Sequence, residues 1–184
     1  MSKKRCFIVV GPESSGTRLV TRLLIAAGCE GDATAHGKLE NDGWPQHYDV
    51  NDPKGETPIV IRRTLPYHPN RVWPDMEELI ARIEGCGYEV LLIETARQQD
   101  SMVASQLWNR HIKDAKQGKT EIKRATGILD SLNQDKAVVS YEGLVDDPEG
   151  AIAQLYKVCK LRPPKNLTED IYDGNAKYME EDRV

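Results

Sequence analysis

The segment Gly11-Pro12-Glu13-Ser14-Ser15-Gly16-Thr17 constrains this chain more than any other. It joins an unbroken apolar run, Cys6 to Val10, directly to an amphipathic stretch that starts at Thr17. A glycine-containing turn between a strand and a helix gathers backbone N–H groups. The unpaired donors and positive dipole of the helix start add to them, so the turn is a preformed anion site. Ser14, Ser15 and Thr17 contribute hydroxyl donors, and Arg18 either joins this grip or faces outward. The spacing matches G-x-x-x-x-G, but Thr17 and Arg18 stand where a loop for ATP or GTP carries Lys and then Ser or Thr. The first would meet the terminal phosphates and the second would hold magnesium, so ordinary magnesium-nucleotide chemistry is disfavoured.

The rest of the chain repeats the strand-then-helix order. Pro58 to Ile61, Tyr88 to Ile93 and Lys136 to Tyr141 are β-rich like Cys6 to Val10, and none of the four alternates apolar with polar. Continuous runs of this kind suit strands covered on both faces. Helical stripes lie between them: Leu19, Val20, Leu23, Leu24 and Ala27 before Gly28, and Met76, Leu79, Ile80 and Ile83 before Gly85. Two more stripes follow, Ile122, Ala125, Leu129 and Leu132, then Ile152, Leu155, Tyr156 and Cys159 after Pro148. The expectation is a three-layer α/β sandwich with a mostly parallel sheet of about four to five strands, whose crevice opens at the carboxyl ends of the strands.

At 184 residues the chain fits one domain. Two segments break the alternation: residues 31–57, a long polar connection suited to a substrate loop or lid, and the polar tail 162–184. A net charge of −4 argues against a surface devoted to nucleic acid or anionic lipid, so any anion site has to be local. The first apolar run is too short for a secretory signal or a membrane span. The four cysteines are scattered without a C-x-x-C pair or a neighbouring His, which points to reduced thiols, a cytoplasmic location and no metal site.

A second anion grip follows the third apolar run. In Arg97-Gln98-Gln99-Asp100-Ser101-Met102-Val103-Ala104-Ser105, Asp100 or Ser101 can cap a helix. That places Arg97 at the strand end and Ser105 a turn inside, so a guanidinium and a hydroxyl can hold one phosphate. Taken alone, an Arg followed by a helical Ser is a common surface pattern.

Taken together, these segments resemble the sulfotransferases that use 3′-phosphoadenylyl sulfate. Glu13-Ser14-Ser15-Gly16-Thr17 is similar to the family's K-S-G-T or R-S-G-T loop for the 5′-phosphosulfate, and Arg97 with Ser105 to the pair that binds the 3′-phosphate. Ile61-Arg62-Arg63-Thr64-Leu65-Pro66 resembles I-K-T-H-L-P, and Ser140-Tyr141-Glu142-Gly143-Leu144-Val145-Asp146-Asp147-Pro148 resembles the Y-E-D-L…P run. The four matches occur in family order over roughly residues 6 to 161. The resemblance implies a nucleoside triphosphate hydrolase-like phosphate-loop fold, that cofactor without metal, and a small-molecule or glycan acceptor. Ser14 stands where the family has its Lys or Arg, and Thr64 where many members have a catalytic His.

Sulfuryl transfer is positioning plus stabilisation of charge on the leaving oxygen. Arg62 or Arg63 is the expected cation in place of Ser14. His68, with His36 second and Glu40 as a further option, is the expected general base; His47 and His111 carry no comparable signal. Asn175, Lys177 and Tyr178 are available for the adenine. Glu94 is expected to pair with Arg97, and Trp108 to pack in the core. The competing readings are a nucleotide or nucleoside kinase and a noncatalytic nucleotide-binding module.

Overall fold

The computed structural model describes residues 4–31, 39–40, 44–45, 57–67, 71–164, 171 and 173–175. Four parallel strands form the main sheet: β1 (Lys4–Pro12), β4 (Ile59–Leu65), β5 (Tyr88–Ala96) and β6 (Lys136–Ser140), in the order β4-β1-β5-β6. A two-residue ribbon, β2 (Leu39–Glu40) with β3 (Trp44–Pro45), falls within the long polar connection. The helices are α1 (Thr17–Ala26), α2 (Met76–Gly85), α3 (Gln99–Trp108), α4 (Ala115–Ser131), α5 (Tyr141–Asp146) and α6 (Pro148–Val158).

Side chains of β1 alternate between two apolar layers. Cys6, Ile8 and Val10 pack with α2 and α4, through Leu79, Ile83, Ala125 and Leu129. Phe7 and Val9 pack with α1 and α6, through Leu23, Leu24, Leu155 and Tyr156. Both faces of β1 are therefore sealed, which explains its unbroken apolar run; the edge strand β6 is not sealed in this way, and Val138 is exposed. Each fully buried Leu, Ile or Phe contributes about 1.5–3 kcal/mol relative to exposure. The Tyr156 hydroxyl, inside the second layer, donates to the Leu23 carbonyl at 2.8 Å and ties α6 to α1.

From β1 the chain crosses to β4 over one face, through α1. From β4 it returns past β1 to β5 over the other face, through α2, as crossovers of a single hand require. The connections leaving β1 and β5 diverge, so the crevice lies where the carboxyl ends of these two neighbours meet.

The structure extends and corrects the sequence expectations. β1, β4 and β5 run past their apolar stretches to Pro12, Leu65 and Ala96, because parallel pairing continues through polar residues: Arg62 lies opposite Val9, Arg63 opposite Val10 and Thr64 opposite Gly11. Helix α3 begins at Gln99, and neither Asp100 nor Ser101 caps it. Asp147 caps α6, accepting from Gly150 N–H at 3.0 Å. Trp108 is 56% exposed rather than packed. No helix among the described residues is long and apolar enough to cross a membrane. All four cysteines are free thiols.

Candidate functional site

The turn after β1 is held from beneath. Ser15 N–H donates to the Pro12 carbonyl at 3.1 Å, and the buried Ser15 and Thr95 hydroxyls lie 2.5 Å apart, linking the turn to β5. Gly11 allows this approach: a Cβ there would lie 2.3 Å from Thr95 Oγ1 and 2.8 Å from the Thr95 carbonyl oxygen. Ser14 (φ 70°) and Gly16 (φ 99°) both take left-handed backbone conformations. Such residues let successive amides converge on an anion. For Ser14 the conformation is strained, and strain of this kind gathers at functional sites.

Two helix starts lack a side-chain cap. Asp75, Asp114, Ser140 and Asp147 cap α2, α4, α5 and α6 with side-chain acceptors, whereas the cap positions of α1 and α3, Gly16 and Gln98, have no such bond. Val20 N–H is bonded to the Gly16 carbonyl, so the amides ahead of it have no acceptor inside α1. Both uncapped helices start at the carboxyl edge of the sheet. The amides left over at α1 surround the strained turn.

Arg97 leaves the end of β5 and reaches this turn. Its Nη1 donates to the Ser14 carbonyl at 2.8 Å, its Nε donates to Asn175 Oδ1 at 2.8 Å, and Nη2 bonds the same oxygen. The guanidinium stacks on Tyr141, 4.4 Å from the ring centroid. Tyr141 in turn abuts Gly16, where a Cβ would come within 3.0 Å of the ring, and its hydroxyl accepts from Gly174 N–H at 2.9 Å. Glu142 accepts from Gln98 N–H at 2.9 Å. The loop, Arg97 and the Ser140-Tyr141-Glu142 segment therefore meet, and β4 lays Thr64 beside Gly11.

Ser105 is buried in α3, and Asn109 Nδ2 donates to its hydroxyl at 3.5 Å and to its carbonyl at 2.7 Å. Ser15 and Thr17 are buried, Ser14 and Gly16 half-buried, and Arg18 is exposed, facing outward. Arg62 is half-buried on the face of β4 that carries Val60, while Arg63 is 3% exposed on the opposite face, its Nη1 donating to the Arg62 carbonyl at 2.7 Å. His68, His36, Lys177 and Tyr178 lie outside the described residues. Glu94 does not pair with Arg97: it faces Lys136 Nζ at 3.7 Å, because the guanidinium turns towards the loop.

The structure adds groups that the sequence left unmarked. Gln106 Nε2 donates to the Glu13 carbonyl at 2.7 Å, and His111 Nδ1 lies 3.7 Å from Glu13 Oε1. Arg71 pairs with Glu121 and donates to the His111 carbonyl, locking the β4–α2 connection onto the end of α3. Burial raises the Tyr67 hydroxyl above its ordinary pKa, against the pull of Arg62 and Arg63 and with help from Glu13. Burial also lowers Arg71, and Glu13 opposes that shift. Glu13 thus lies beside His111 and its charge is felt at Arg71 and Tyr67. Only its place inside the loop marked it in the sequence, and nothing local marked His111.

Among the described residues no group of three His, Cys, Asp or Glu side chains is arranged to hold a metal ion. Comparison with protein-family models found no match, and comparison with curated proteins found none either.

Proposed function

We propose that this chain transfers a sulfuryl group from 3′-phosphoadenylyl sulfate to a hydroxyl or amine of a small-molecule or glycan acceptor. The observation that carries the reading is the bond from Arg97 to the Ser14 carbonyl. Two segments that resemble the 5′- and 3′-phosphate contacts of sulfotransferases, far apart in sequence, share one site. When bound, the donor supplies the sulfuryl group and departs as adenosine 3′,5′-bisphosphate. The uncapped start of α1 offers amides to the donor's 5′ end, at a turn that Gly11 lets pack on Thr95 and Gly16 lets pack on Tyr141.

The chain's own residues hold, orient and deprotonate. The turn's amides with Ser15 and Thr17 grip the anion, and Arg97 fixes the turn through its planar fork. Arg62, in β4 opposite Val9, is the cation for charge that Ser14 cannot neutralise. His111, whose Nδ1 lies 3.7 Å from Glu13 Oε1, is the imidazole to take the acceptor's proton.

Thr17 and Arg18 at the Lys and Ser/Thr positions weigh against a kinase. Ser14 and Thr64 at the family's Lys and His positions favour a second reading, a nucleotide-binding module without transfer. Calorimetry and a labelled-sulfuryl transfer assay separate the three. Binding of adenosine 3′,5′-bisphosphate without magnesium, with transfer to an acceptor in a broad panel, supports the proposal. Binding without transfer to any acceptor supports the module, and a preference for magnesium-ATP supports the kinase. Transfer that survives intact in His111→Ala would remove His111 from the mechanism.

A further inference from the structure

A cleft of about 1150 Å³ runs along α4, bounded opposite by the end of β5 and the start of α3, with Pro12 and Arg97 among its lining residues. Lys116, Lys119 and Lys123 line it from α4, spaced so that they form one stripe. Glu94 and Asp130 also line it, but both face Lys136 Nζ at 3.7 Å, which offsets half of their charge and leaves the lysines and Arg97 in excess. Asp100 lies 3.3 Å from Lys119, yet both side chains are largely exposed, so that pair is weak. The cleft is therefore a positive strip on a chain of net charge −4. Such a local field selects anions where the whole surface does not.

The length of the strip identifies the kind of anion. Lys116 and Lys123 are seven residues apart, about 10 Å along the helix axis at 1.5 Å per residue. One phosphate group cannot meet both, but successive anions along an extended ligand can. Among the described residues no aromatic side chain lines the cleft to stack on nucleic-acid bases. β5 is paired on both edges, with β1 and β6, so a peptide cannot add to it as a strand. Gln99, Thr120 and Thr126 supply amide and hydroxyl groups suited to a hydroxyl-rich ligand, and Gly127 keeps open space beside the wall.

We propose that this cleft binds an acidic oligosaccharide, carrying sulfate groups, with one end directed at the phosphate-binding turn. The ligand's role as acceptor rests on the transfer reading given above; its binding does not.

The test uses the full chain and four probes: a sulfated hexasaccharide, its desulfated counterpart, an oligodeoxynucleotide and an oligoglutamate, the last two matched to the first in charge. Wild type should bind the sulfated sugar more tightly than the other three. Lys116→Gln/Lys119→Gln/Lys123→Gln, with wild-type circular dichroism, should weaken that binding about tenfold, while Lys157→Gln on α6 should not. No binding by wild type, equal affinity in the triple variant, or equal affinity for the desulfated sugar overturns the proposal. Tighter binding of the oligonucleotide or oligoglutamate through the same lysines also overturns it. Adenosine 3′,5′-bisphosphate should bind the triple variant as it binds wild type. If the triple variant loses that nucleotide instead, the lysines serve the nucleotide and the proposal fails. If wild type binds the sugar but not the nucleotide, the cleft stands and the transfer reading fails.

Discussion

Replacing Gly11 with Ala probes the junction on which the site is built. A Cβ there would lie 2.3 Å from Thr95 Oγ1, 2.6 Å from Ser15 Oγ and 2.8 Å from the Thr95 carbonyl oxygen. The Thr95 hydroxyl can rotate away, but only by breaking its 2.5 Å contact with Ser15 and stranding two buried hydroxyls, at about 1–3 kcal/mol. The carbonyl cannot yield without moving β5, which is paired to β1 across Lys4 to Val10, and overpacking of that kind adds about 1–3 kcal/mol. Gly11→Ala should therefore destabilise the chain by roughly 2–6 kcal/mol in urea denaturation, the sum of those two ranges. Thr95→Ala removes one of the three clashes, so the glycine substitution should cost less in that background, by about 0.5–3 kcal/mol. Gly11→Ala within about 0.5 kcal/mol of wild type, the scatter of neutral surface changes, would refute the packing described here.

Other perturbations isolate single links. Arg97→Lys keeps the charge but not the fork that holds both Ser14 and Asn175, so it should lose bisphosphate affinity nearly as fully as Arg97→Ala, on the order of 1.5–3 kcal/mol by calorimetry; wild-type affinity in the Lys variant would contradict a turn-holding role. Tyr156→Phe removes the hydroxyl bonded to the Leu23 carbonyl, which still accepts from Ala27, and should cost about 1 kcal/mol; a loss beyond about 3 would mean the contact does more than this bond. Burial first, and for Cys29 the nearby Cys159, pushes these two thiols up to about 12 from 9.0, against the pull of Arg5. The unfolded chain releases those protons first, so the thiols' contribution to stability is complete below about pH 9 and is lost as pH rises towards 12. Cys29→Ala/Cys159→Ala should flatten the fall of the urea midpoint above about pH 9, and an unchanged slope would show that the thiols do not cause it.

The sheet was legible because parallel strands sealed on both faces have to be apolar, as Cys6 to Val10 and Val90 to Ile93 are. Their carboxyl ends were not legible. Arg62, Arg63 and Thr64 resemble a loop in composition, yet pairing with β1 keeps them extended. Helix α5 was missed because six residues containing Gly143 carry too little periodicity to register. Within the site, the turn announced itself through its glycines and its position after a strand. Its partners did not, since contacts between Arg97 and Ser14, or His111 and Glu13, join residues 83 and 98 positions apart and exist only once the topology is built. Glu94 shows the reverse: a neighbour in sequence looked like Arg97's partner, and the fold gave it Lys136.

The central claim is that the turn from Ser14 to Thr17 binds a phosphate group beside Arg97. Amide chemical shifts of the isotope-labelled chain, followed during titration with adenosine 3′,5′-bisphosphate, test it residue by residue. The account predicts the largest saturable changes at Ser15, Gly16 and Thr17, accompanied by the Arg97 side-chain Nε–H. A spectrum in which these signals stay fixed, or in which the changes gather elsewhere on the fold, would contradict it.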